Sequence, residues 1–252
     1  MSFSAFPTRR LFLAWSRRHD PRFQTQAALA VIFAVTLGAF LHVVEDYLDS
    51  DPIVRWDVEF SRWLHVHSNG TLRSFFSVAT LAGNVAFLAL LTVGVAVFLL
   101  RRRARNEAAL VLSGALGIEV LNAGLKLLFH RPRPELAYVH LDTYSFPSGH
   151  AAGSTAIYAL ILYVLASRRG VSGRARVFTA VGFVLLAALI AFSRLYLEVH
   201  YLSDVLAGCS LGAAWASGCL FLYEAKRDAD VARLLPGRVL RALEWLTPPS
   251  ST

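Results

Sequence analysis

Two histidines, an aspartate, a lysine and two arginines stand out in three short polar clusters of an otherwise apolar chain. The first cluster runs from Lys126 to Arg133-Pro134. The second is Pro147-Ser148-Gly149-His150, and the third runs from Ser193-Arg194 through His200 to Asp204. These residue types can grip a phosphate and cleave it by histidine attack. His200 and Asp204 are four apart, which puts both side chains on one helical face. The carboxylate can then hold one imidazole tautomer and support its positive charge, leaving the second ring nitrogen to attack phosphorus. Simple capping of a helix start fits the same pair.

In the second cluster Ser148 can cap a helix and Gly149 allows a ligand close to the backbone. Free N–H groups at a helix start bind phosphate well. His150, one residue further, is placed to protonate a leaving oxygen. A plain serine N-cap would explain the Pro-Ser-Gly turn equally. Lys126, Arg133 and Arg194 supply the cations. Arginine suits bidentate binding of phosphate oxygens and lysine a compact charge, and together they would stabilise the charge that builds in the transition state. No acidic cluster with metal-ligand spacing accompanies them, so neither metal nor other cofactor is expected. His65 and His67 lack a third ligand and read as loop residues.

These clusters must be positioned by membrane-crossing helices. The 252 residues are 56% hydrophobic and 17% charged, with mean hydropathy +0.50. That balance excludes an ordinary soluble domain. The net charge of +8 would suggest nucleic acid in a soluble protein, but the basic residues bracket apolar runs and so read as topology, with no nucleic-acid partner. Six runs are long enough to cross a bilayer: about 27–44, 84–100, 108–129, 150–166, 176–192 and 201–223. The fold class is therefore all-α, a polytopic six-helix bundle. Residues 1–26 form a basic N-terminal segment, 27–223 the membrane domain and 224–252 a basic tail.

Four basic clusters fall on one side of these spans, which by the positive-inside rule makes both termini cytoplasmic. All three polar clusters lie at the other face, the exterior or periplasmic side of a cell membrane. The basic run His130-Arg131-Pro132-Arg133 is there against the rule. Between the first two spans, over about 45–83, Asp51-Pro52 reads as an N-cap and first helical residue. Ile53, Trp56, Phe60, Trp63 and Leu64 then recur at helical spacing, as for a short interfacial helix or a packed loop helix, with Asn69-Gly70 as a turn after it. Cys209 and Cys219, ten apart in one span, cannot reach each other and read as apolar fillers.

The three clusters resemble the three-part signature of the type 2 phosphatidic acid phosphatase superfamily, integral-membrane lipid phosphatases related to vanadium haloperoxidases. Lys126, Arg133, Pro134, Pro147, Ser148, Gly149, His150, Ser193, Arg194, His200 and Asp204 match it without departure. The resemblance implies that His200 forms a phosphohistidine, Asp204 orients it and His150 is the general acid. It implies that Lys126, Arg133, Ser148, Gly149 and Arg194 bind phosphate and that no metal is needed; Ser193, beside Arg194, is read as a supporting residue behind them.

The expected substrate is a membrane lipid phosphate, with bacterial polyprenyl (undecaprenyl) diphosphate as first choice. Phosphatidate and phosphatidylglycerol phosphate come next. A lipid-to-lipid phosphotransferase and a non-catalytic lipid-binding or transport protein are the alternatives, and six spans argue against a soluble haloperoxidase. Beyond the signature, Glu119, Asn122 and Lys126 fall at i, i+3 and i+7 on one face of the third span. An acid within a span by default suggests function. Glu119 is read either as a buttress beneath the site or as a partner in a structural hydrogen bond to a neighbouring helix.

Overall fold

A computed structural model describes residues 21–49, 52–135, 137–138, 142–167 and 170–234. Most of the basic N-terminal segment, the Asp51 cap and the tail beyond 234 lie outside them. The helices are α1 (Pro21–Leu48), α2 (Pro52–His67), α3 (Gly70–Ala79), α4 (Val85–Arg101), α5 (Arg105–Phe129), α6 (Gly149–Ala166), α7 (Gly173–Tyr196) and α8 (Leu202–Leu234). Five of them are long and apolar enough to cross a membrane, and α3 with α4 makes a sixth, broken span bent by 43°. Helices satisfy every backbone group internally, the requirement for crossing hydrocarbon. The chain is thus an all-α polytopic membrane protein, and α8 continues as helix eleven residues past the expected end at 223.

The break in the sixth span has a local cause. A 3₁₀ turn, Thr80–Gly83, follows α3, and Asn84 adopts an extended conformation whose side chain accepts from the Ala86 N–H at 2.8 Å. Asn69 is likewise an N-cap, accepting from the Leu72 N–H at 2.9 Å. What reads in sequence as a turn therefore starts a second helix.

The two central helices are α6 and α8, with 56% and 50% of their apolar windows buried, against 11% for α1 and α7. Small residues set this arrangement. Ala151, Ala152, Gly153, Ser154 and Ala156 line the buried face of α6. A Cβ at Gly208 of α8 would lie 2.6 Å from the Ser148 carbonyl oxygen, and one at Gly212 would overlap that of Ala152. Without those Cβ atoms the backbones meet directly, which is how helices gain packing energy in lipid. The same contact sets the start of α6 beside the start of α8, where the Ser148 N–H donates to the Asp204 carbonyl at 2.9 Å. At the opposite end Gln26 donates to Asp228 at 2.8 Å, joining the start of α1 to the far end of α8. Residues 26 and 228 are therefore on the same side, as an even number of crossings requires.

Helix α2 divides its apolar residues between two faces. Asp57, Ser61 and Leu64 are buried and Phe60 packs beside them, whereas Trp56 and Trp63 are 65% and 55% exposed. The sequence grouped both sets as one stripe. The structure gives one face to the protein and leaves an exposed pair of tryptophans, the residue type favoured at a membrane–water interface.

Candidate active site

Each signature cluster lies where a helix begins or ends, and all three are at one end of the bundle. Helix α5 closes with His130 in the left-handed region (φ 48°), its N–H bonded to the Lys126 carbonyl at 3.1 Å. That turn sends Arg131 and Arg133 back across the end of the bundle. The connection to α6 is pinned by the Ser145 N–H on the Arg131 carbonyl at 2.9 Å. Helix α7 ends at Tyr196, and a tight turn with Glu198 at φ 57° leads to His200 and α8.

His200 is 4% exposed and Asp204 fully buried. The Asp204 Oδ2 atom accepts from the Tyr201 N–H at 2.9 Å and stands 3.4 Å from the His200 Nδ1. A proton on Nδ1 leaves Nε2 with its lone pair, and the Arg133 guanidinium is 3.3 Å from that nitrogen. Burial first, then Arg194, Arg133 and Lys126, hold the His200 imidazole well below the usual histidine range. The ring is therefore neutral, the form a nucleophile needs. Burial likewise lowers Arg133. His150 shares the same electrostatic neighbourhood, with Arg194, His200, Arg133 and Lys126 around it.

Backbone carbonyls bind Lys126 and Arg133. Lys126 Nζ donates to the carbonyls of Tyr144 and Ser145. Arg133 donates to Thr143 O at 2.7 Å and Val199 O at 2.6 Å. Arg194 donates to the Thr80 hydroxyl at 2.7 Å, and its buried Nε has no partner. Ser148 holds the N-cap position of α6, but its buried hydroxyl caps nothing and is likewise unpartnered. A buried hydroxyl left unsatisfied is costly unless a ligand completes it. The capping role open to Ser148 in sequence is thus unfilled. Among the described residues, no three His, Cys, Asp or Glu side chains form a possible metal site.

The face carrying Glu119, Asn122 and Lys126 does turn towards α6. Asn122 is buried and donates to the Pro147 carbonyl at 3.4 Å, steadying the Ser148-Gly149 turn. Glu119 Oε1 is buried without a hydrogen-bond partner, and a Cβ at Gly153 would lie 2.8 Å from it. The structural hydrogen bond offered as an alternative for Glu119 is absent at this oxygen. Ser193 is fully buried, and its hydroxyl donates to the Ile190 carbonyl of its own helix at 2.6 Å.

The sequence reading missed Arg131, Asp57, Ser203 and Thr80. Arg131 is 4% exposed and bridges Asp204 Oδ1 at 2.6 Å and Asp57 Oδ2 at 2.7 Å. Burial pulls its pKa down, but Asp204 and Asp57 outweigh this and raise it overall. A signal for Asp57 was available. It falls in register with Phe60, Ser61 and Leu64 at i+3, i+4 and i+7, an acid in the buried stripe of an amphipathic helix. For Arg131 there was none, because one arginine in a basic run looks like another.

Residues 107–228 match the PAP2 superfamily. A Bacillus subtilis (strain 168) protein named phosphatidylglycerophosphatase B is 37% identical over 94 residues, 37% of this chain and 46% of that protein. An uncharacterised 22.5 kDa protein of the Klebsiella pneumoniae cps region is 41% identical over 83 residues, 33% of this chain and 38% of the other. The chain thus spans less than half the length of these curated relatives. Among solved structures, a transmembrane PAP2-type phosphatidylglycerolphosphate phosphatase from Bacillus subtilis superposes with TM-score 0.67 at 26% identity, covering 80% of this chain and 96% of that one. Aquifex aeolicus LpxE shares the fold, with TM-score 0.52, 24% identity and coverage of 66% and 94%. The matched region contains every signature residue from Lys126 to Asp204.

Proposed function

We propose that this protein is a metal-independent membrane lipid phosphatase working through a phosphohistidine. The observation that carries the reading is the convergence of a neutral, carboxylate-backed His200 with His150 and three cations at one end of a membrane bundle. The His200 Nε2 attacks phosphorus, and the P–N bond forms as the bond to the lipid oxygen breaks. His150 gives its proton to that oxygen. Water then attacks the phosphorus and passes a proton to His150, and the P–N bond breaks to release phosphate. Lys126, Arg133, Arg194, Ser148 and the Gly149 backbone hold the phosphoryl oxygens, Lys126 and Arg133 exchanging carbonyl partners for the substrate.

The substrate we favour is phosphatidylglycerol phosphate, because that lipid is in the names of both Bacillus subtilis relatives. Polyprenyl diphosphate, first choice from the sequence, has no comparable support. The basic residues bracketing the spans support a site facing away from the cytoplasm and both termini within it. The test is phosphate release by purified protein from phosphatidylglycerol phosphate, phosphatidate and polyprenyl diphosphate, with His200→Ala as control. Highest kcat/KM on the first is expected. Equal release by wild type and variant would end the enzyme reading, and preference for the diphosphate would restore the other substrate.

We assign Glu119 and Asn122 to the support of Lys126 and the α6 start. Glu119→Gln is expected to slow turnover about 3- to 10-fold by changing the charge beneath the site. Unchanged kinetics with a lower unfolding temperature would leave Glu119 a purely structural role.

A further inference from the structure

We propose that Asp57 of α2 is a positioning residue for the reaction, holding Arg131 so that the buried cluster behind His200 keeps one net negative charge. The proposal rests on the histidine-attack reading above. Asp204 does not face His200 as a lone carboxylate. Its Oδ1 is bound by Arg131 at 2.6 Å, and both groups are buried. That pair by itself is neutral and would give little support to a ring that gains positive charge when phosphorylated. Asp57, 1% exposed, adds the second carboxylate. One guanidinium between two carboxylates leaves the cluster at −1, at the Nδ1 side of the ring, while Arg133 stands at Nε2.

The geometry fixes which oxygen does what. Asp57 Oδ2 accepts from Arg131 at 2.7 Å and from the Ser203 hydroxyl at 2.5 Å, while Oδ1 accepts from the Ser203 N–H at 2.8 Å. The Ser203 hydroxyl accepts in turn from Arg131 at 2.7 Å. The guanidinium is held between the rings of Tyr47 and Tyr201, 4.8 and 4.4 Å from their centroids. It can therefore neither turn away nor give up Asp204 Oδ1. Asp204 Oδ2 remains for the His200 Nδ1 and the Tyr201 N–H. A helix that would otherwise only cover the bundle thus reaches the reacting ring through two residues.

The test is single-turnover rapid quench on Asp57→Asn, using short-chain phosphatidate or phosphatidylglycerol phosphate labelled in the terminal phosphate. An asparagine keeps an oxygen for Ser203 and Arg131 but removes the charge. The base-stable, acid-labile phosphoenzyme is expected to form about 10- to 100-fold more slowly, the scale for losing one buried charge near the reacting group. The final amount of transferred phosphate per folded protein, phosphoenzyme plus released phosphate, and KM should be unchanged. A smaller amount formed at the wild-type rate means that Asp57 only stabilises the fold, and overturns the proposal; so does an unchanged rate. Absence of phosphoenzyme in the wild type would instead sink the histidine-attack reading itself. Should Asp57→Asn not fold, Ser203→Ala keeps both charges and loosens their link. Slowing by about 3-fold or more at constant KM is then expected, and an unchanged rate would overturn the proposal.

Discussion

Replacing His200 by alanine is expected to lower lipid phosphate release by on the order of 10⁴-fold or more, with substrate binding nearly unchanged. The cations and the Ser148-Gly149 turn would remain to bind phosphate, but no atom would be left to take it. His150→Ala should differ in kind. The His200 nitrogen would still be present, so labelled phosphoenzyme should form, slowly, where His200→Ala gives none. Rapid-quench labelling of both variants separates a nucleophile from an acid. Label retained in His200→Ala would assign attack to another group.

A pH consequence follows from the same residue. The folded protein holds His200 neutral well below the usual histidine range, owing to burial and to Arg194, Arg133 and Lys126. The unfolded chain takes up a proton there near the ordinary value of about 6.5. Between those two values the unfolded state binds more protons, so stability rises with pH and falls as pH drops below about 6.5. The slope from this group approaches about 1.4 kcal/mol per pH unit. Unfolding midpoints in detergent between pH 7 and pH 4.5 should therefore fall less steeply for His200→Ala than for the wild type. Parallel profiles would show that His200 titrates alike in both states.

The largest expected loss of stability comes from Arg131→Met. Methionine fills a similar volume but leaves Asp57 and Asp204 buried together with no cation between them. Removing one partner of a buried ion pair costs about 3–5 kcal/mol. Here two carboxylates lose their shared partner, so the upper part of that range applies. Thermal unfolding and yield of folded protein in detergent are the measurements. Pairing Arg131→Met with Asp57→Asn should recover part of the loss, because only one buried charge then remains uncompensated. Failure of the second change to recover any stability would mean that the two carboxylates do not repel across the Arg131 position.

How far the sequence reads depends on the length scale of each signal. Span positions were legible because about 20 apolar residues must occur in one run, and the run at 150–166 agrees closely with α6. Asn69 was misread because a residue that caps a helix and one that begins a turn use the same side-chain hydrogen bond. The α2 stripe was misread because Trp56 and Phe60 look alike to a hydropathy pattern, while the structure buries one side and exposes the other. Arg131 was passed over in favour of Arg133 because the two differ only in direction. The left-handed turn at His130 aims one at two buried carboxylates and the other at His200.

The sequence by itself determined the chemistry available to the protein: two histidines, one carboxylate at helical spacing, three cations and a Ser-Gly turn, all at helix ends in a membrane chain. Side-chain type and local spacing are properties of the chain, and membrane insertion forces those ends to a common face. Only the tertiary structure decided which charges are paired. Asp57 and Arg131 are 74 residues apart, and Arg131 and Asp204 are 73. Their meeting depends on α6 and α8 touching backbone to backbone at Gly208 and Gly212, and on α2 folding across the bundle end. Electrostatic energy depends on distance and burial, and for residues so far apart in sequence both are set by packing.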